Sequence, residues 1–246
     1  MEKINYLFGD KSLKICQDDK MFKFSLDTIL LSSFVTIKKN CKRILDIGTG
    51  NAPIPVILST KTTAKIIGIE IQKSLFLLAN KTIKINNLEN QIEIINEDIK
   101  EWYKKENGDK FDTVVCNPPF FKINDSSNLN QNVEKTIARH ETMLKIGDVL
   151  KVAKKLLING GNLAIVQRPE RFMDVLLAMT ENNIEPKRIK FIYSKSGKSA
   201  HMVLIEGTKN GKKGIKIEAP LIVHNRDEKY TKELEKYTNY FPGNMR

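Results

Sequence analysis

Ile44-Leu45-Asp46-Ile47-Gly48-Thr49-Gly50-Asn51-Ala52 is an apolar, β-rich run broken by a glycine turn that opens into a helix-forming stretch at Pro53. Glycines at 48 and 50 let the backbone turn sharply and let a ligand approach it closely. About 20 residues on, a second apolar run ends in Glu70, where an acidic residue accepts hydrogen bonds from ribose hydroxyls. Two kinds of nucleoside cofactor suit that geometry. A dinucleotide asks for a third small residue three positions beyond Gly50, where this chain has Pro53, and makes no special demand on Asp46. A sulfonium cofactor carries a positive charge and an amino-acid tail, which a carboxylate at the end of the first strand answers.

Outward from this turn, short β-rich runs alternate with amphipathic stretches. The pattern predicts strands at Arg43 to Ile47, Lys65 to Ile69, Gln91 to Ile95 and Phe111 to Cys116. Helices are predicted at Pro53 to Thr60, Ser74 to Asn87 and Ile99 to Lys105. A long helix is expected from about His140 to Leu157, stopped by Asn159-Gly160-Gly161, with a fifth strand at Asn162 to Val166. Arg171 to Glu181 reads as a helix. Arg188 to Tyr193 and His201 to Glu206 read as strands joined without a helix, hence antiparallel. The expected fold is α/β: a Rossmann-like, doubly wound, seven-stranded and mainly parallel sheet, with an antiparallel last strand and helices on both faces.

Three segments of one domain are expected. Residues 1–40 form an N-terminal extension without clear period, plus a helix marked by Leu26, Ile29, Leu30, Phe34 and Ile37. Residues 41–206 form the cofactor-binding core, and residues 207–246 a basic, aromatic tail packed on it.

The fourth strand runs into Asn117-Pro118-Pro119-Phe120. An amine on an aromatic ring or an amide is a poor nucleophile because its lone pair is delocalised. The Asn117 side-chain oxygen and the Pro118 carbonyl are two acceptors for the protons of such an amine, and Phe120 can stack on the ring. An Asn-Pro turn leaving a strand is the plain alternative. Asp46, Glu70, Asp98 and Asn117 nevertheless fall in order at the ends of strands one to four, and open α/β sheets bind ligands at that edge. A helix cap or solvated turn accounts for each acid alone far better than for all four together.

Composition bounds the function. The chain has 246 residues, 41% apolar, and no run near the roughly 18 consecutive apolar residues of a membrane span. Met1 to Asn5 lacks the basic and apolar segments of a secretory signal, so a cytoplasmic protein is expected. Cys16, Cys41 and Cys116 are odd in number and without a CxxC pair, which argues against a disulfide framework and against a metal site. A net charge of +12 suits a polyanionic partner, although the abundance of lysine, asparagine and isoleucine also fits AT-rich coding DNA.

On these motifs, residues 22 to 206 resemble the class I methyltransferases that use S-adenosylmethionine, specifically those with an Asn-Pro-Pro-Phe/Tyr signature. The resemblance implies S-adenosyl-L-methionine as cofactor and S-adenosyl-L-homocysteine as product. It implies cofactor contacts from Asp27, Asp46, Gly48, Gly50, Asn51, Glu70, Ile71, Asp98, Ile99 and Asn117, with Asn117, Pro118, Pro119 and Phe120 as the catalytic set. One departure is Ala52, where many members carry a third glycine; little consequence is expected of it. Phe22 to Leu31, Ala138-Arg139-His140-Glu141 and Tyr230-Thr231 are more specifically similar to bacterial tRNA (adenine-N6) methyltransferases acting on adenine-37, beside the anticodon of valine tRNA. That closer resemblance implies a tRNA partner; no membrane, metal or obligatory protein partner is expected. Guanine-N2 methylation of rRNA, DNA adenine-N6 methylation and a non-catalytic basic RNA-binding module are the alternatives. Candidate RNA contacts are Arg139, His140, Lys195, Lys198, Lys212 and Lys213.

Overall fold

The computed structural model describes residues 2–7, 13–18, 26–108, 110–118 and 144–238. Pro119, Phe120, the polar stretch 122–132, Arg139 and His140 lie outside the described residues. The chain runs β1 (Glu2–Tyr6), β2 (Lys14–Asp18), α1 (Leu26–Phe34), β3 (Arg43–Ile47), α2 (Pro53–Ser59), β4 (Lys65–Ile69), α3 (Lys73–Ile85), β5 (Ile92–Ile95), α4 (Ile99–Lys105) and β6 (Phe111–Cys116). It continues through α5 (Ile146–Leu156), β7 (Leu157–Gln167), α6 (Phe172–Glu181), β8 (Ile184–Lys195), β9 (Ala200–Lys209), β10 (Lys216–Ile217), β11 (Leu221–His224) and α7 (Lys232–Thr238).

One large sheet carries the order β10-β8-β9-β7-β6-β3-β4-β5, with β11 also paired to β8. β9 is antiparallel to both of its neighbours, and the other pairings in this sheet are parallel. Period-two alternation in the central strands builds a core on each face. Ile44, Ile66, Val115, Ala164 and Leu204 pack with α1, α2, α3 and Leu234 of α7. Leu45, Ile47, Ile67, Val114 and Ile165 pack instead with α4, α5 and α6.

The doubly wound reading holds, with three differences. The sheet has nine strands rather than seven, because the tail adds β10 and β11 beside β8; β10 is two residues long, too short to leave a periodic signature. The N-terminal segment holds the antiparallel pair β1 and β2. Every β1 residue is exposed, so it carries no apolar alternation to read. Finally, α5 ends at Leu156, before Asn159-Gly160-Gly161. The pairing of β7 with β6 jumps from Leu157 to Asn162, so these glycines accommodate an irregularity within a strand, with Gly160 at φ 76°.

An ionic cluster fastens the tail to the sheet. Arg188 donates to Glu218 at 2.8 Å, to Thr36 at 2.6 Å and to the Phe34 carbonyl at 3.1 Å, and lies 3.2 Å from Glu206. Among the described residues no helix is long and apolar enough to cross a membrane.

Candidate active site

Register aligns the strand ends: Ile47 pairs with Ile69 and with Cys116, and Ile69 pairs with Ile95. Gly48, Glu70, Asn96 and Asn117 therefore leave the sheet side by side at its carboxyl edge. Gly48 and Thr49 both donate backbone N–H groups to the Ile69 carbonyl, at 2.9 and 3.0 Å. Gly48 and Gly50 have φ of 70° and 62°, and a Cβ on either would point into open space. Glycine adopts that left-handed backbone without strain, and its lack of a side chain leaves the turn open to a ligand.

Asp46 is wholly buried, and neither carboxylate oxygen has a hydrogen-bond partner among the described residues; the buried Thr49 hydroxyl has none either. Burial raises the Asp46 carboxyl to about 7, and the Glu70 charge adds to the rise. The nearby Thr49 hydroxyl offsets part of it without reaching hydrogen-bond geometry. Room for Thr49 comes from Gly68 on β4, where a Cβ would sit 2.9 Å from both Thr49 Oγ1 and Ile94 Cδ1. A buried, unpaired carboxylate is costly and rare. It fits a cationic ligand that completes the site.

Glu70 is 4% exposed and braced by backbone, accepting from Gly50 at 2.9 Å and from Gln72 at 2.8 Å. Burial raises its carboxyl, and these N–H groups, with that of Ile71, hold the rise down. Asn96 fixes the chain behind it by donating to the carbonyls of Glu70 and Ile71, at 2.8 and 3.1 Å. Asp98 caps α4, accepting from Lys100 N–H at 2.8 Å. Gly48, Glu70, Ile71, Asp98 and Ile99 line one pocket, partly open to solvent, with Leu144 beside them.

Asn117 is half-buried, Pro118 is buried, and the Asn117 Nδ2 donates to Thr28 Oγ1 at 3.1 Å. Asp27 lies one residue earlier, in the first turn of α1. Asn51 is directed elsewhere: its Nδ2 donates to the Cys16 carbonyl of β2 at 2.7 Å, clasping the N-terminal hairpin to the turn.

The basic candidates separate. Lys195 ends β8 at the carboxyl edge and pairs with Glu228, and Lys198 is exposed in the turn that follows. β9 then runs back, placing Lys209 opposite Ile184 at the start of β8. Lys212 and Lys213 follow from there, at the opposite edge from Asn117. Thr28, Thr49 and Gly68 were not among the sequence candidates. Their place in the site comes from contacts between elements distant in the chain, which no local motif records. Among the described residues no group of three or more His, Cys, Asp or Glu side chains is placed to hold a metal ion.

Residues 23–188 match the model of the methyltransferase small domain. The chain belongs to that family. The methyltransferase is 30% identical, over 75% of its length and 76% of the relative's, to a tRNA1(Val) (adenine(37)-N6)-methyltransferase of Parabacteroides distasonis. A Bacteroides fragilis protein of the same name is 28% identical over 82% of this chain and 83% of its own. Among solved structures, a predicted O-methyltransferase from Agrobacterium tumefaciens superposes with a TM-score of 0.69 at 19% identity, covering 89% of this chain and 99% of that one. Pyrococcus horikoshii TYW2 in complex with MeSAdo gives 0.59 at 14%, covering 85% and 72%. At these identities the structural likenesses speak for the fold.

Proposed function

We propose that this chain transfers the methyl group of S-adenosylmethionine to the exocyclic N6 of an adenine in tRNA, at adenine-37 beside the anticodon of valine tRNA. The observation that carries the chemistry is Asn117 at the end of β6. Its amide nitrogen is engaged by Thr28, its oxygen is left to accept, and it emerges in line with the unpaired Asp46. The named relatives support the substrate.

When bound, S-adenosylmethionine supplies an electrophilic methyl on sulfonium. Asp46 answers the cofactor's positive charge, Glu70 lies where ribose hydroxyls are accepted, and the open backbone at Gly48 and Gly50 admits the ligand. The target adenine leaves its stack to reach the carboxyl edge, at a smaller penalty in a loop than in a duplex. Asn117 Oδ1 and the Pro118 carbonyl then accept the two N–H groups and draw the nitrogen toward tetrahedral geometry. As the new N–C bond forms and the sulfonium's bond to the methyl breaks, the amine becomes acidic and its proton passes to water, so positioning and hydrogen bonding do most of the work and no base with a tuned pKa is needed. Phe120 is the residue proposed to stack on the base.

The test is mass spectrometry of nucleosides from a deletion strain. One tRNA loses N6-methyladenosine; an unchanged modification profile overturns the reading. With purified protein, Asn117→Ala abolishes transfer while leaving cofactor affinity within about threefold, since the acceptor acts in the transition state. Near-normal turnover in that variant removes the amine-acceptor role.

A further inference from the structure

We propose that Gln17, on the N-terminal hairpin, is a further cofactor contact: its side-chain amide donates to the carboxylate of the amino-acid tail of S-adenosylmethionine. The inference rests on S-adenosylmethionine as the cofactor and not on Asn117 as the amine's acceptor. Gln17 is 5% exposed, and its Oε1 accepts from Asn5 Nδ2 at 2.6 Å, while its Nε2 is buried without a hydrogen-bond partner. A buried donor left unpaired is destabilising and rare. Among the described residues the other side-chain atoms in that state are both Asp46 carboxylate oxygens, the Thr49 hydroxyl and His201 Nδ1. His201 lies on β9, which β7 and β6 separate from β3. Asp46 and Thr49 belong to the cofactor turn, and Gln17 is fastened to it.

Backbone contacts carry Gln17 to the ligand edge. Lys14 bonds to Asn86 at the end of α3 and Cys16 to Thr82, one turn earlier, so β2 climbs toward the start of α3, which follows Glu70. Asn51 Nδ2 donates to the Cys16 carbonyl at 2.7 Å, and the peptide joining Cys16 to Gln17 therefore rests on the residue after Gly50. Cys16 packs with Leu75 and Leu78 of α3. Alternation along β2 places Gln17 on the other face with Ile15, which shares its buried cluster with α1 and α2. The pocket lined by Glu70, Asp98 and Ile99 lies toward β4 and β5, and Gln17 does not line it. With the nucleoside over β4 and β5, the rest of the cofactor falls over the turn after β3, the next strand inward. Asp46 answers the positive charge there but repels the tail's own carboxylate. That carboxylate needs a donor, and the Gln17 amide supplies one.

Gln17→Met keeps the length of the side chain and removes both N–H groups. In calorimetry this variant raises the Kd for S-adenosylmethionine at least about tenfold, the loss of one hydrogen bond to a charged group. Two ligands isolate the carboxylate. Decarboxylated S-adenosylmethionine keeps the ammonium, and methylthioadenosine lacks the whole tail. For both, measured by competition, the variant's Kd stays within about twofold of the native value, a selectivity that merely holding the hairpin in place would not produce.

Equal weakening of all three ligands, or native affinity for S-adenosylmethionine in Gln17→Met, overturns the proposal. So does a loss for the decarboxylated ligand as large as that for S-adenosylmethionine, which would move the contact to another group. If Gln17→Met fails to fold, Gln17→Asn, which withdraws the amide by one methylene, replaces it with the same pattern expected. A native protein that does not bind S-adenosylmethionine would refute the cofactor itself; native binding beside an unaffected Gln17→Met refutes this inference alone.

Discussion

Asp46 is the residue whose chemistry is most exposed to measurement. Its carboxyl titrates at about 7 in the folded chain against 3.8 ordinarily, chiefly through burial. The stability it lends is therefore full below the ordinary value and lost as pH rises toward 7, a change on the order of 4 kcal/mol at about 1.36 kcal/mol per pKa unit. In urea denaturation of the ligand-free protein, Asp46→Asn accordingly narrows the difference in stability between pH 5 and pH 8; an unchanged difference would refute the buried-charge account. A cationic cofactor favours the ionised carboxylate, so its binding at pH 6 releases a proton that calorimetry in buffers of different ionisation heat detects. Ala52, where little consequence was expected, has a left-handed backbone at φ 67°. That conformation costs an L-residue about 1–2 kcal/mol, and Ala52→Gly relieves it while losing a buried methyl worth about 0.8 kcal/mol. Ala52→Gly therefore unfolds at nearly the native urea midpoint, whereas Ala52→Val, β-branched at positive φ, is destabilised by more than about 2 kcal/mol. Gly48, Gly50, Asp46 and Glu70 were legible because turn and strand end are local. Thr28 and Gly68 were not, since each is defined by what lies across from it.

At the scale of elements, the long apolar strands were readable and the strands without an apolar face were not. β1 and β2 are placed by hydrogen bonds more than by burial of β1. Asn86, at the end of α3, accepts from Lys14 N–H at 2.9 Å and donates to the Lys14 and Thr82 carbonyls, both at 2.7 Å. Thr82 accepts from Cys16 N–H at 3.0 Å, and Cys16 in turn accepts from Asn51. This chain of contacts links the back of α3 to the cofactor turn. Asn86→Ala leaves the Lys14 groups without their partner and weakens the hairpin's docking by about 1–3 kcal/mol. Amide exchange at residues 14–18 then accelerates while β3 and β6 keep their protection; unchanged exchange would mean that the hairpin is held by other contacts.

At the scale of the molecule, the direction of β9 sorts the positive charge. Its antiparallel course was readable from the short link after β8, and it carries the lysine-rich run to the edge opposite Asn117. Charge density along the chain, taken alone, groups both edges together. On the proposed reading, RNA that reaches Asn117 lies on the same edge as Lys195 and Lys198. Replacing both reduces the salt dependence of tRNA binding by about 0.7 in log–log slope for each phosphate that is no longer neutralised. Replacing Lys212 and Lys213 changes that slope less; the reverse ranking in a salt titration would put the RNA across the far edge. The same layout has a consequence for the order of events during synthesis. α1, which presents Asp27 and Thr28, packs against α7, made some two hundred residues later, whose Leu234 shares its buried cluster. α1 thus completes its packing only after some two hundred further residues have been made, so the nascent chain acquires its cofactor turn well before α1 is locked in place.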